Sequence, residues 1–292
     1  MLLPFDIPPD LPVLIAGPTA SGKSALALHI AETSGGAIIN ADALQVYNCW
    51  QSLSARPSDD ETARAPHHLY GHVGLDQDYS VGTWLREVEA LLTNLTQRPI
   101  IIGGTGLYFR ALTEGLAEIP PTPAEIRELA DERIAAGHLA QMISELDSAT
   151  ASRIDLLNPI RVQRAWEVQR TTGRGLADWH DNTPAPLLPL NQTFPIVMDA
   201  DKDWLNDRIA LRFRQMIEHG ALEETRAVLP NWDPSRPWAK AIGAPELIAY
   251  HQDEQSLEHA IEAAIISSRQ YAKRQRTWFR ARMTGWNVLH LP

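Results

Sequence analysis

Apolar positions along the chain fall into short runs separated by stretches with helical spacing. Leu11 to Ala16 is a short apolar run ending at a glycine, and in the following Ser24 to Ala31 the residues Ala25, Leu28 and Ala31 recur at a helical interval, predicting strand, loop and helix. A second run, Ala37 to Ile39, leads into Asn40, Ala41 and Asp42, and a third, Pro99 to Ile102, leads into Gly103, Gly104 and Thr105, with a helical pattern at Val81 to Leu95 between them. Strands alternating with helices predict a parallel α/β sheet, whose ligands bind beyond the carboxyl ends of the strands. Gly17, Asp42 and Thr105 all fall at such ends. From Ile119 to about Asn191 prolines punctuate both flanks of Ala-, Glu- and Arg-rich helical stretches without a strand. The expected organisation is a core in two parts, 1–119 and 192–292, interrupted by a helical insertion at 120–191. Phe194 to Asp199 reads as a strand returning to the sheet, followed by a helix around Ile209 to Glu218 ending near Gly220. A loop rich in Trp and Pro, a long C-terminal helix and a short strand at Asn287 to Leu291 come last.

Composition narrows the classes. The chain has 292 residues, 44% hydrophobic and 21% charged, which suits one or two globular domains and excludes disorder and coiled coil. A formal charge of −10 excludes a uniformly basic coat, though not a local basic face. Cys49 is alone and forms no internal disulfide; the opening MLLPFDIPPDLP carries no basic segment before its apolar residues, so no secretory signal is expected and the chain reads as cytoplasmic. No apolar run approaches the roughly 20 residues that span a bilayer.

The strongest chemical signal is Gly17-Pro18-Thr19-Ala20-Ser21-Gly22-Lys23-Ser24, a complete G-x-x-x-x-G-K-S between a strand and a helix. Its amides and the positive helix end cradle a diphosphate or triphosphate, Lys23 adds a point charge and Ser24 can hold Mg²⁺. The expected fold is therefore a P-loop NTPase-like parallel sheet with flanking helices and a helical insertion. Kinases, GTPases and ATPases share this loop; the chain has no D-x-x-G and no N-K-x-D, which argues against a GTPase. Asp42, behind the loop, is placed either to take a proton or reach Mg²⁺ through water, or to cap a helix. Ile196-Val197-Met198-Asp199 reads as a plain strand end. His67 and His68 lack partners with metal-ligand spacing and are expected to be structural. Most of the nine tryptophans, Trp278 included, are expected in the core, and Cys49 as an unreactive apolar residue.

These residues and several others resemble the tRNA dimethylallyltransferases, also called tRNA isopentenylpyrophosphate transferases, over nearly the whole chain. Besides Gly17 to Ser24, the resemblance rests on Asp42 with Gln45 and Tyr47, on Ala55-Arg56-Pro57, Pro66-His67-His68-Leu69 and Tyr79-Ser80, and on Gly103-Gly104-Thr105-Gly106-Leu107-Tyr108. It continues through Arg161 and Arg164 with Glu167-Val168, Ala241-Ile242-Gly243, and Arg269-Gln270-Tyr271-Ala272-Lys273-Arg274-Gln275. The resemblance implies transfer of a dimethylallyl group from dimethylallyl diphosphate to N6 of the adenosine 3′ of the anticodon in tRNA, with Mg²⁺ and no redox cofactor. Asp42 would act as general base, Thr105 would help place the reactants, and Gly17 to Ser24 would bind the diphosphate, with Ser24 as the metal residue.

The same resemblance implies tRNA contacts at Ala43, Leu44 and Gln45, at Arg127, Arg161, Gln163 and Arg164, and at Lys240, Ile242 and Gly243. It implies further contacts at Arg269, Gln270, Lys273, Arg274, Gln275 and Arg276, and a monomeric enzyme without a membrane partner. Charge agrees in part: residues 263–292 hold six of the 26 cations and none of the 36 acids. On a helix, Arg269, Lys273, Arg276 and Arg280 share one stripe, suited to phosphates or simply solvated. Arg153, Arg170 and Arg174 add to the cations of the insertion. The chain departs from the family pattern at Ala43, where a serine is usual, at Cys49 to Ser54, which lacks both usual glycines, at Asp155 to Asn158 and at Ala244-Pro245. The alternatives from other classes are a small-molecule P-loop kinase, with Lys23 at the γ-phosphate of ATP, and an RNA-binding P-loop ATPase.

Overall fold

The computed structural model describes residues 4–292. The first three residues of the opening stretch, on which the expected absence of a leader partly rests, lie outside the described residues. In chain order, β1 (Val13–Ala16), α1 (Lys23–Ser34), β2 (Ala37–Asn40), α2 (Asp59–Arg64), β3 (His67–His68), α3 (Val81–Asn94), β4 (Pro99–Gly103) and α4 (Gly106–Glu114) come first. Then follow α5 (Ala124–Ala135), α6 (Leu139–Ser144), α7 (Ser148–Arg153), α8 (Pro159–Thr172) and α9 (Leu176–Asp181). The chain closes with β5 (Phe194–Asp199), α10 (Lys202–Met216), α11 (Leu222–Val228), α12 (Ala244–His251), α13 (Leu257–Arg282) and β6 (Asn287–His290).

The strands form one parallel sheet of order β3-β2-β4-β1-β5-β6. Continuous apolar strands such as Val-Leu-Ile-Ala suit a sheet covered on both faces. Val13, Ile15, Ile38, Ile100 and Ile102 pack with Leu26, Ala27 and Ile30 of α1, and the alternating Leu14, Ile39 and Ile101 are as deeply buried. A further core joins α10, α12 and α13 to the segment after β2, with Trp50, Phe213, Trp238, Leu247 and Ile265 at its centre. By its internal packing the chain divides into two compact units, one ending at Thr113 and resuming at Leu188, the other Glu114–Leu187. The second unit is helix and loop throughout, packed around Ala130, Met142, Val162, Ala165 and Trp166.

Three elements differ from the sequence reading. Strand β3 has two residues, too short to leave a periodic signal. The helix expected to stop near Gly220 begins earlier, at Lys202, and the chain stays helical beyond the glycine: a kink at Ile217–Ala221, with Gly220 at φ 104°, leads directly into α11. Glycine takes this left-handed geometry at little cost, so it bends the path instead of ending it. The loop rich in Trp and Pro contains α12, whose Pro245 sits in the first turn, where a missing N–H costs nothing.

The carboxyl ends of β1, β2 and β4 lie side by side, because Ala16 is in register with Gly103 and Asn40 with Ile102. At this rim the backbones approach closely. The Ala41 amide donates to the Ile102 carbonyl at 2.6 Å, and a β-carbon on Gly103 would lie 2.0 Å from the Ala41 oxygen. Gly103→Ala must therefore push two strands apart, and is expected to cost about 1–3 kcal/mol or more, as overpacking does. Thermal unfolding should show a clear fall in Tm, whereas an unchanged Tm would mean that the rim is looser than described.

Candidate active site

The loop from Gly17 to Gly22 turns through two left-handed positions, Ala20 at φ 64° and Gly22 at φ 93°. Gly22 precedes α1 without any side-chain cap, so the first amides of the helix remain directed into the loop. Lys23 folds back over the loop and donates from Nζ to the Pro18 carbonyl at 2.8 Å. Its burial pushes the ammonium down to about 8; the nearby Asp42 carboxylate opposes this and the Arg212 guanidinium adds to it. Ser24 is exposed at the start of α1.

Asp42 follows the end of β2 and sits in a turn of its own. Its amide donates to Asn40 Oδ1 at 2.9 Å, and its Oδ1 accepts the Leu44 amide at 2.9 Å. The carboxylate thus caps a turn and not a helix. Asn40 Nδ2 in turn donates to the carbonyls of Asp42 and Leu69, both at 3.0 Å. Thr105 closes the same corner: its Oγ1 accepts the Ala43 amide at 3.1 Å, and it hydrogen-bonds the buried hydroxyl of Tyr271, whose ionisation burial opposes.

Two further cations come from α10 and were not singled out in the sequence. Arg212 is half-buried and donates from Nη2 to Thr19 Oγ1; Arg208 donates from Nε to the Ala20 carbonyl at 2.9 Å and lies over the Trp204 ring at 4.7 Å. Burial lowers Arg212 to about 10, opposed by Asp42 and assisted by Arg208, so it stays charged at neutral pH. The available signal was their spacing, i and i+4 on one face of an expected helix. A cavity opens between these groups. Thr19, Asp42, Arg212 and Tyr271 supply polar wall, and Leu44, Leu53, Ile209, Phe213, Met216, Ala241 and Ile242 supply an apolar one. The arrangement can hold an anionic diphosphate at the loop with an apolar group attached, beside a carboxylate able to accept a proton.

The residues expected at RNA separate into three sets. Several face inward. Ala43 is tied to Thr105, Leu44 and Ile242 line the cavity, and Gln45 Nε2 donates to the carbonyls of Ser54 and Ala55, each at 2.9 Å. Gly243 is buried at φ 95° against Phe213, and Gln275, 6% exposed, bridges two loops: Oε1 accepts the Thr19 amide and Nε2 donates to the Gly104 carbonyl, both at 2.9 Å. With its amide engaged by backbone partners, Gln275 braces the two loops. Others are partly engaged: Gln163 with Asp131 and Glu167, Arg164 with Thr122, and Arg269 with the Asn206 carbonyl. Arg276 is half-buried. Arg280 is taken by Asp199 at 2.9 Å, so the expected stripe does not stand outward as a unit. The exposed set is Arg127 and Arg161 in the helical unit, Lys240, and Gln270, Lys273 and Arg274 on α13. The last three line a shallow groove with Thr277, Trp278 and Arg282, and Trp278 packs on Gly106 at the start of α4, half-buried and not fully in the core. In the helical unit Arg153 and Arg174 are paired with Asp181 and Asp178. His67 donates to or accepts from no metal cluster: among the described residues no three His, Cys, Asp or Glu side chains are grouped to hold an ion. Burial pushes the Cys49 thiol up to about 12, in keeping with an unreactive residue.

Comparison with known proteins adds independent findings. The IPP transferase family model matches residues 45–282, and the isopentenyl transferase model residues 12–69. A tRNA dimethylallyltransferase of Cereibacter sphaeroides (strain KD131) is 62% identical over 98% of this chain and 91% of its own, and one of Paracoccus denitrificans is 57% identical over 96% and 95%. Among solved structures, the tRNA isopentenylpyrophosphate transferase of Bacillus halodurans superposes with a TM-score of 0.68 at 27% identity, covering 96% of this chain and 90% of that one. A eukaryotic dimethylallyltransferase acting on tRNA shares the fold with a TM-score of 0.81 at 23% identity, over 96% of this chain and 73% of that one.

The buried ammonium of Lys23 has a consequence for anion binding. Above its lowered value near pH 8 the free protein loses one charge facing the loop. Inorganic diphosphate should then bind with proton uptake, and its affinity should fall by up to about tenfold per pH unit above pH 8. Calorimetry in buffers of different ionisation enthalpy checks this. Lys23→Met should bind weakly with a flat profile, and a flat wild-type profile would remove Lys23 from the anion site.

Proposed function

The chain belongs to the tRNA dimethylallyltransferase family, and from that premise we propose how its own residues carry the reaction. It is an enzyme, a prenyltransferase that transfers a dimethylallyl group from dimethylallyl diphosphate to N6 of the adenosine 3′ of the anticodon, giving N6-dimethylallyladenosine. The observation that carries the residue assignment is the cavity shared by Asp42, Arg212 and Thr19 on one side and seven apolar residues on the other.

An exocyclic adenine amine is a weak nucleophile, so the barrier falls mainly by stabilising the leaving group and removing the amine proton. N6 forms a bond to C1 of the allyl group while the bond from C1 to the diphosphate oxygen breaks. Lys23, Arg208, Arg212 and the uncapped amides at the start of α1 take the charge that develops on the diphosphate. Asp42, held in its turn by Asn40 and Leu44, accepts the N6 proton. Thr105 fixes the Ala43 corner next to it. The donor set also fits a magnesium ion. Ser24 offers a hard oxygen at an exposed helix start, no protein cage of three ligands competes among the described residues, and magnesium prefers phosphate oxygens and water to such cages. When bound, it would supply further positive charge to the diphosphate.

The target base stacks inside an anticodon loop and must be extruded, at a cost of a few kcal/mol repaid by contacts to neighbouring nucleotides. Lys240, Gln270, Lys273 and Arg274 on the core unit, and Arg127 and Arg161 on the helical unit, are the exposed groups assigned to that backbone. The same reading takes the enzyme to be a monomer. No helix among the described residues is long and apolar enough to cross a membrane, and the inert thiol of Cys49 suits the cytoplasm.

Label from dimethylallyl diphosphate should appear in unmodified tRNA with Mg²⁺, and ATP should not replace the donor; phosphate release from ATP without label transfer would sink the assignment. Asp42→Ala should lower the chemical step about 10²-fold or more while tRNA affinity is retained. Near-normal turnover would take Asp42 out of the base role. Replacing both Lys273 and Arg274 by Ala should weaken all tRNAs alike and flatten the slope of log affinity against log salt by about 1.5 units. An unchanged slope would make that face of α13 mere solvated surface.

A further inference from the structure

The segment that departs from the family pattern, Cys49 to Ser54, has neither helix nor strand nor glycine to define it. It is instead held by one carboxylate. Glu224, from α11, accepts the amides of Gln51 at 3.1 Å and Ser52 at 2.6 Å on Oε1, and that of Leu53 at 3.0 Å on Oε2. Three consecutive amides on an ionised acceptor form a charge-assisted clasp, roughly twice as strong per bond as neutral hydrogen bonds. The flanks are pinned as well. The buried Trp50 donates from Nε1 to the Trp238 carbonyl at 2.9 Å, and Ser52 Oγ donates to the carbonyl of His219 in the kink before α11 at 2.6 Å.

The clasp fixes Leu53, 4% exposed, in the apolar wall of the donor cavity. Opposite, Gly243 adopts φ 95°, and a β-carbon there would lie 2.7 Å from Phe213 Cε2 and 3.0 Å from Leu53 Cδ1. The bare glycine therefore lets Leu53 and Phe213 close against one another. The cavity they bound measures about 80 Å³. Leu53 and Phe213 stand beside Gly243 at the apolar end of this cavity, so a chain longer than a branched five-carbon group would have to displace them.

We propose that Leu53 and Phe213 are the end wall of the donor cavity and that Glu224 positions this wall, so that a five-carbon allylic diphosphate is admitted and a ten-carbon one refused. The proposal rests on the donor reading above. Leu53 and Phe213 act on the donor by direct contact. Glu224 does not line the cavity and acts only through the segment it clasps. In Glu224→Gln one oxygen still accepts from Gln51 and Ser52, but an amide NH₂ then faces the Leu53 N–H and cannot accept from it, which loosens the wall at Leu53.

The test compares transfer to tRNA from dimethylallyl and geranyl diphosphates by the full chain with Mg²⁺. The wild type should use the ten-carbon donor poorly and be only weakly inhibited by it. In Leu53→Ala and Phe213→Ala the ratio of kcat/KM for geranyl over dimethylallyl donor should rise about tenfold or more, the scale on which a few methylenes discriminate. The gain should appear in KM for the ten-carbon donor. Glu224→Gln should shift the same ratio in the same direction by a smaller factor, which a loss of stability alone would not do. An unchanged ratio in folded variants that still transfer the five-carbon group overturns the proposal and leaves the donor reading intact. Equal use of, or equal inhibition by, both donors in the wild type overturns it even if neither alanine variant folds. A wild type that transfers neither group overturns the donor reading and this proposal together.

Discussion

Two half-buried cations within reach of each other, Lys23 and Arg212, set the terms for everything around them. Burial lowers both, and each feels a like charge, Lys23 from Arg212 and Arg212 from Arg208; the one carboxylate that opposes this is Asp42. Such a cluster costs free energy unless its protons are hydrogen-bonded. The chain supplies partners at the Pro18 carbonyl, the Thr19 hydroxyl and the Ala20 carbonyl, all within the phosphate loop. The loop is thus cross-tied to α10 before any anion arrives. An incoming diphosphate meets charges already desolvated and oriented, the condition under which electrostatic stabilisation of a leaving group is largest. Asp42 is the counter-charge to these cations, and in the proposed reaction it also accepts the proton.

Helix α13 links this centre to the molecular surface. One face turns Tyr271 and Gln275 inward, to Thr105 and to the Thr19 and Gly104 backbones, while the adjoining face presents Gln270, Lys273 and Arg274 outward. A 26-residue helix is stiff over this distance, so the brace that fixes the phosphate loop against the Gly-Gly-Thr turn and the surface assigned to RNA share one rigid body. The family motif around residues 269–275 therefore combines two demands in seven residues. Side chains at i and i+4, such as Tyr271 and Gln275, point to the site, whereas Lys273 and Arg274 between them point to solvent.

Much of this was legible in the sequence because it is local. The P-loop is eight consecutive residues between a strand and a helix, and Asp42 and Thr105 each follow an apolar run that becomes a parallel strand. The long-range ties were not legible, for the opposite reason. Arg212 meets Thr19 across 193 positions, Gln275 meets Thr19 across 256, and Glu224 clasps Ser52 across 172. Nothing in the local pattern around Gln275 separates a side chain turned inward from one offered to RNA, and nothing around Gly243 marks it as buried. A resemblance assigns both to the same motif, and only packing tells them apart.

Residue pattern alone thus determined the fold class, the phosphate-loop motif and a candidate base, since each depends on backbone geometry or on a short motif that needs no distant partner, while the reaction family followed from a resemblance spread over the whole chain. Tertiary structure decided which cations reach the loop, which motif residues are braces and which remain exposed, and how deep the apolar cavity is. Those properties belong to surfaces brought together from β2, α10, α11, the loop before α12, and α13. Each surface is ordinary apolar or polar sequence by itself, and acquires its role only from what folding places opposite to it.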